Sequence, residues 1–95
     1  MSARVEIQPM SVPKLPRHVK LRFDKSRDRW VILAPERVLV PDEIALEIVK
    51  RCTGEASVAA IVDDLAASFG APREEVESDV ASLLQDLADK GLMVA

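Results

Sequence analysis

The hydrophobic pattern of this chain changes period once, at Pro41, and that change divides it into a strand-forming part and a helix-forming part. Ahead of it, Val19, Leu21 and Phe23 alternate with Lys20, Arg22 and Asp24, the period of two that marks a half-buried strand. Lys25-Ser26-Arg27-Asp28 is a polar turn. Arg29 to Ala34 (RWVILA) is nearly continuous and apolar and reads as the central strand. Pro35-Glu36 turns the chain again, and Arg37-Val38-Leu39-Val40 forms a third, short strand that stops at Pro41. Connections this short predict an antiparallel meander in the order first, second, third.

Past Pro41 the period becomes 3.6. Asp42 and Glu43 open a helix at the end where negative charge suits the macrodipole, and Ala45, Ile48, Val49 and Cys52 line one face before Gly54. Ser57 is a good N-cap for a second helix, whose stripe is Val58, Ile61, Val62, Leu65 and Phe69, ended by Gly70. Pro72 suits the first position of a third helix, with Val76, Val80, Leu83, Leu84 and Leu87 on one face. Lys90 and Gly91 close it, and Leu92 is placed for the hydrophobic contact of a Schellman motif. A three-stranded sheet needs a cover on its apolar face, and each helix has a stripe to bury. The expected fold is α+β and winged helix-turn-helix-like, a three-stranded antiparallel sheet followed by a three-helix bundle.

Residues 1–15 read as a flexible Pro-rich tail or linker, and 16–95 as the folded domain. Pro9, Pro13 and Pro16 recur at intervals that forbid a helix interior or a central strand. With 95 residues in all, there is room for one small core only. No apolar run approaches the ~20 residues of a membrane span. The start has no apolar h-region of a secretory signal, and one Cys cannot form an internal disulfide, so a reducing cytoplasm is the expected setting.

Catalytic chemistry is poorly supplied. His18, the only His, has no Cys, Ser or acid at motif spacing, and Cys52 falls on an apolar helix face with no activating base. One His and one Cys cannot make a zinc site, and three scattered glycines cannot make a phosphate-cradling loop. Neither an enzyme activity, a metal nor a cofactor is expected. Charge is split: residues 1–37 carry +5 and residues 38–95 carry −8. A winged-helix DNA-binding regulator would set its recognition helix among phosphates. The third helix with its flanks instead carries Arg73 and Lys90 against Glu74, Glu75, Glu77, Asp79, Asp86 and Asp89. Near-absence of aromatics likewise argues against stacking on single strands. Nucleic acid is therefore not an expected partner, and neither is a membrane.

The third strand is the remaining candidate. Lys20 and Arg22 blunt the first strand, whereas Val38-Leu39-Val40 has no such guard. If it is a sheet edge, its unpaired N–H and C=O groups can accept an extended peptide. The opposing possibility is that Leu92-Met93-Val94 or the Pro-rich tail already covers that edge, and the sequence leaves the two open.

Pro16-Arg17, Arg22, Asp24, Trp30 and Leu33-Ala34-Pro35-Glu36, followed by Leu46, Ile48, Gly54, Ser57-Val58, Ile61, Leu65, Val80, Leu84, Leu87 and Gly91-Leu92, together resemble the PqqD family of pyrroloquinoline quinone (PQQ) biosynthesis. The resemblance implies a non-catalytic peptide chaperone, a recognition element that binds the ribosomal precursor peptide PqqA and presents it to the radical-SAM enzyme PqqE. It also implies that the leader peptide adds as a strand beside Arg37, Val38, Leu39 and Val40. The helix wall is then placed among Glu75, Val76, Asp79, Val80 and Leu83. Some relatives are fused to the oxygenase PqqC, which would make the tail an interdomain linker. A subunit that contacts only a larger enzyme, with no peptide site of its own, is the other alternative. On this reading, Leu39→Pro is expected to abolish peptide binding more than it destabilises the fold.

Overall fold

The computed structural model describes residues 5–95. Three strands, β1 (Lys20–Asp24), β2 (Arg29–Ala34) and β3 (Arg37–Leu39), form an antiparallel sheet in the order β1-β2-β3. Three helices follow, α1 (Glu43–Lys50), α2 (Val58–Phe69) and α3 (Arg73–Asp89). The fold is the expected one, with small shifts at the ends. Val40 lies past the last strand residue, and Pro72 is the N-cap of α3 rather than its first helical residue. Asp28 takes a left-handed φ of 54° and closes the first turn, a conformation that Asp tolerates.

Helix ends are set by local chemistry. The Asp42 carboxylate accepts from Ala45 N–H at 2.7 Å, and the Ser57 hydroxyl accepts from Ala60 N–H at 3.1 Å. At the end of α3, Gly91 sits at φ 75° and its N–H reaches Ala88 C=O, while Leu92 N–H donates to Leu87 C=O at 2.8 Å. That pair of bonds is a Schellman motif, and Leu92 is driven into the core behind it. Arg51 fastens α1 to α2 by donating to Asp64 at 2.7 Å and to Glu47 at 2.9 Å. The Arg51 hydrogen bond holds the Glu47 carboxyl below the usual carboxylate range.

Register sorts the sheet into two faces. Leu21, Ile32, Ala34 and Leu39 face the helices, where Ile32 joins Ile48, Val49, Leu84, Leu87 and Met93 in one core. Lys20, Arg22, Arg29, Leu33 and Val38 share the outer face. Cys52 is buried in the core, where desolvation pushes its thiol from 9.0 up to about 12. Because the thiol ionises far more easily in the unfolded chain, its contribution to stability is full below about pH 9 and falls as pH rises toward 12. Cys52→Ala is expected to flatten the alkaline limb of a stability profile. Native protein should resist iodoacetamide until denaturant is added, as mass spectrometry of the quenched reaction would record.

Residues 5–15 correct the expectation of a flexible tail. They dock along the helical layer. Ser11 and Pro9 carbonyls accept from Val58 and Ala59 N–H at 2.8 and 3.0 Å, satisfying two orphan donors in the first turn of α2. Gly54 N–H donates to Pro13 C=O, and Pro13 is buried. Lys14 pairs with Val94 through two bonds of 2.8 and 2.9 Å and bridges Thr53 on its other side. Farther out, the Gln85 side chain clamps the Ile7 N–H and the Val5 C=O. Proline disqualifies this segment from helix or sheet interior but leaves its carbonyls free as acceptors, and those acceptors hold it. The first four positions of the expected tail lie outside the described residues.

Candidate functional site

β3 is the edge of the sheet, and among the described residues its outer side pairs with nothing. Leu92 and Met93 are buried in the core, and Val94 is taken up by Lys14, so the two segments expected as alternative covers of the edge meet each other instead. Ala34 and Arg37 flank the two-residue Pro35-Glu36 loop and form the closing pair of the hairpin. A β-turn closes with a C=O(i) to N–H(i+3) bond, so Ala34/Arg37 is a hydrogen-bonded pair and the pairs alternate from there. Leu33/Val38 is then the non-bonded pair, and Ile32/Leu39 is again bonded. Arg37 and Leu39 spend their backbone groups on β2. Val38 turns its N–H and C=O away from the sheet and supplies the open donor and acceptor within β3.

This alternation relocates the test expected at Leu39. Proline there removes a ladder bond to β2 and disturbs a side chain packed on the core, so it damages the fold first. Proline at Val38 removes only an outward donor, and the Val38 side chain is 59% exposed.

From the end of β3 a furrow runs between α1 and α3. Its first stretch is bounded by Leu39, Val40 and Asp42 on one side and by Leu83, Asp86 and Lys90 on the other. It continues past Ile44, Asp79 and Ser82. It ends in a mostly apolar cleft of about 280 Å³ among Ile44, Phe69, Glu75 and Val76. Along α3, the ten steps from Val76 to Asp86 correspond to about 15 Å. The floor is apolar and the rim is acidic. Of the rim carboxylates, Asp42 is held as the α1 N-cap and Asp86 pairs with Lys90 at 2.8 Å.

The residues expected as a binding wall fall into three groups. Val76 and Leu83 are half-buried and line the furrow, with exposed Glu75 and Asp79 at its rim. Val80 is fully buried and supports the floor from within the core. The structure brings Leu83 toward β3 but sets Glu75 and Val76 at the far end, beside α1 and the end of α2. Sequence reasoning missed Ile44, which is 56% exposed, and it counted Phe69 in the α2 core stripe although Phe69 is 51% exposed. A signal for Ile44 was present: with Ile48 it forms an i, i+4 pair that makes the apolar face of α1 wider than the core requires.

The family model for PqqD, described as coenzyme PQQ synthesis protein D, matches residues 29–93. The chain belongs to the PqqD family. It is 58% identical over 92 residues to a protein of Rhodopseudomonas palustris strain HaA2 named PqqA binding protein, covering 97% of this chain and 90% of that one. A Bradyrhizobium diazoefficiens protein of the same name is 55% identical over 89 residues, covering 94% and 86%. Among solved structures, the solution structure of the PqqD truncation of Methylobacterium extorquens PqqCD matches with a TM-score of 0.81 at 34% identity, covering 97% of this chain and 98% of that one. That protein is described as a functional, stand-alone recognition element for ribosomally synthesised and post-translationally modified peptides. The crystal structure of PqqD from Xanthomonas campestris matches with a TM-score of 0.61 at 44% identity, covering 94% and 99%. Membership of this PqqD family and the sheet-then-helices architecture thus agree with the reading of the sequence. Among the described residues no helix is long and apolar enough to cross a membrane.

Proposed function

We propose that this PqqD chain is a non-catalytic peptide carrier in PQQ biosynthesis. It binds a precursor peptide of the PqqA kind by strand addition to β3 and presents it to the radical-SAM enzyme PqqE. The observation that carries the reading is the continuity of an unpaired sheet edge at Val38 with an apolar, acid-rimmed furrow. The edge supplies backbone bonds that any extended peptide can make, and the furrow supplies side-chain selectivity. Ordering a disordered peptide opposes binding by about 2–5 kcal/mol, so edge and furrow are both needed. Relatives named PqqA binding protein and the stand-alone recognition element from Methylobacterium support the peptide as ligand. In a fused or tethered arrangement with PqqC, the tether would join ahead of residue 5, because residues 5–15 are consumed in packing.

Titration of labelled PqqA peptide into the isotope-labelled domain, without enzyme, tests the reading. The expected result is chemical-shift change concentrated at 37–42 and along the furrow face of α3. No change with peptide alone would favour a subunit that meets only the enzyme. Ile44→Asp places a charge on the apolar floor at an exposed position. It is expected to weaken the peptide by roughly tenfold, about 1.4 kcal/mol, with the thermal midpoint nearly unchanged.

A further inference from the structure

We infer that the outer face of the sheet, the side away from the helices, is where this chain meets the modifying enzyme, and that the enzyme surface docking there is acidic around an apolar centre. The inference rests on the delivery reading above. Delivery requires the carrier to hold peptide and enzyme at once. The furrow is then filled, so the enzyme must be met elsewhere.

The outer face has the chemistry for it. Leu33 and Val38 are cross-strand partners, 37% and 59% exposed, and Lys20 continues their row on β1. Arg22 and Arg29 lie on the same face, and with Lys20 they have no salt-bridge partner among the described residues. The acid in this set, Asp24, is turned to its own loop, where it accepts from Ser26 N–H and faces Arg27. The docked residues 5–15 run over the helical layer; on the outer face Val31, the partner of Arg22, is buried, whereas Lys20, Arg22, Arg29, Leu33 and Val38 around it are exposed. The result is a basic, apolar-centred surface on a chain whose remaining charge is strongly negative. Complementarity selects an acidic partner surface and speeds its encounter.

Position adds a second argument. A peptide strand paired to the open side of Val38 extends the sheet by one strand. Its outward side chains then continue the Lys20–Leu33–Val38 row. An enzyme seated on that face touches carrier and peptide together, so it can prefer the loaded carrier over the empty one.

The test is Lys20→Glu/Arg22→Glu. Both sites are exposed and neither touches the furrow. Peptide affinity and enzyme affinity are measured by separate titrations, the latter with saturating PqqA and PqqE at low and at 0.3 M salt. Expected are peptide affinity within about twofold of wild type and enzyme affinity at least tenfold weaker, with its salt dependence largely gone. Unchanged enzyme affinity in a variant that still binds peptide overturns the docking face and leaves peptide capture intact. Failure of the wild-type complex to bind the enzyme overturns delivery itself, and the docking face with it. If the reversed variant also loses the peptide, Lys20→Gln/Arg22→Gln decides. Weaker enzyme binding with normal peptide binding supports the face, and an unaltered enzyme titration overturns it.

Discussion

Val38→Pro is expected to lower affinity for the precursor peptide by roughly 5- to 150-fold, about 1–3 kcal/mol, while the domain loses only about 1 kcal/mol of stability. The reason is the parity of the hairpin. Its two-residue loop makes Ala34/Arg37 a bonded pair, so Val38 points its backbone groups outward. Proline at Val38 removes the outward donor, and its ring occupies the space where a peptide carbonyl would come to rest. The ladder to β2 loses nothing, and Val38 is too exposed for much packing to be lost. The contrasting substitution, one residue on, separates binding from folding. Leu39→Pro breaks a β2 bond and costs about 1–3 kcal/mol for the carbonyl left without its donor, on top of the lost core packing. Calorimetric titration with PqqA and thermal melts of both variants check the pair. Full peptide affinity in folded Val38→Pro protein would remove β3 from the proposed site.

Removal of residues 1–15 is expected to lower stability by about 3 kcal/mol, from the apolar area of Ile7, Pro13 and Leu15 alone. For a domain this small that is more than about 10 °C of thermal midpoint, out of a total stability of about 5–15 kcal/mol. Two donors at the start of α2 lose their carbonyl partners, and Val94 loses Lys14. A narrower change probes the same seam. Gly54 sits at φ 85°, and a Cβ there would lie 3.2 Å from the Lys14 side chain, so Gly54→Ala strains both the backbone and the docked segment. Differential scanning calorimetry of the truncated chain is the decisive measurement. An unchanged midpoint would mean that the segment is a passive spacer after all.

Local signals made most of the fold legible. The boundaries of β2 and α2 follow from their apolar pattern and from Ser57 and Gly70, whose effects reach only a few residues. Gly91 and Leu92 announced the end of α3 for the same reason. Of the candidate site, the position of Val38-Leu39-Val40 at the end of a meander was legible from local pattern, but whether another segment covers that edge was not. Residues 5–15 were misread because their order depends on partners at α2, Thr53, Gln85 and Val94, far away in sequence. Phe69 is more exposed than its stripe implies, and Ile44 escapes the pattern, because periodicity reports a stripe but not its width. How much of a stripe is covered depends on how helices cross.

By itself, then, the sequence determined the strand and helix order, the family, the split of charge and the absence of catalytic groups at motif spacing. All of these are written in residue type and near-neighbour spacing. Only the tertiary structure decided which backbone groups of β3 are open, where the acid-rimmed furrow runs, and that the start of the chain is part of the domain. Those depend on register, on helix crossing and on contacts between residues up to 80 positions apart. No local pattern encodes them, because each is set by packing that forms only when the sheet and helices close on one core.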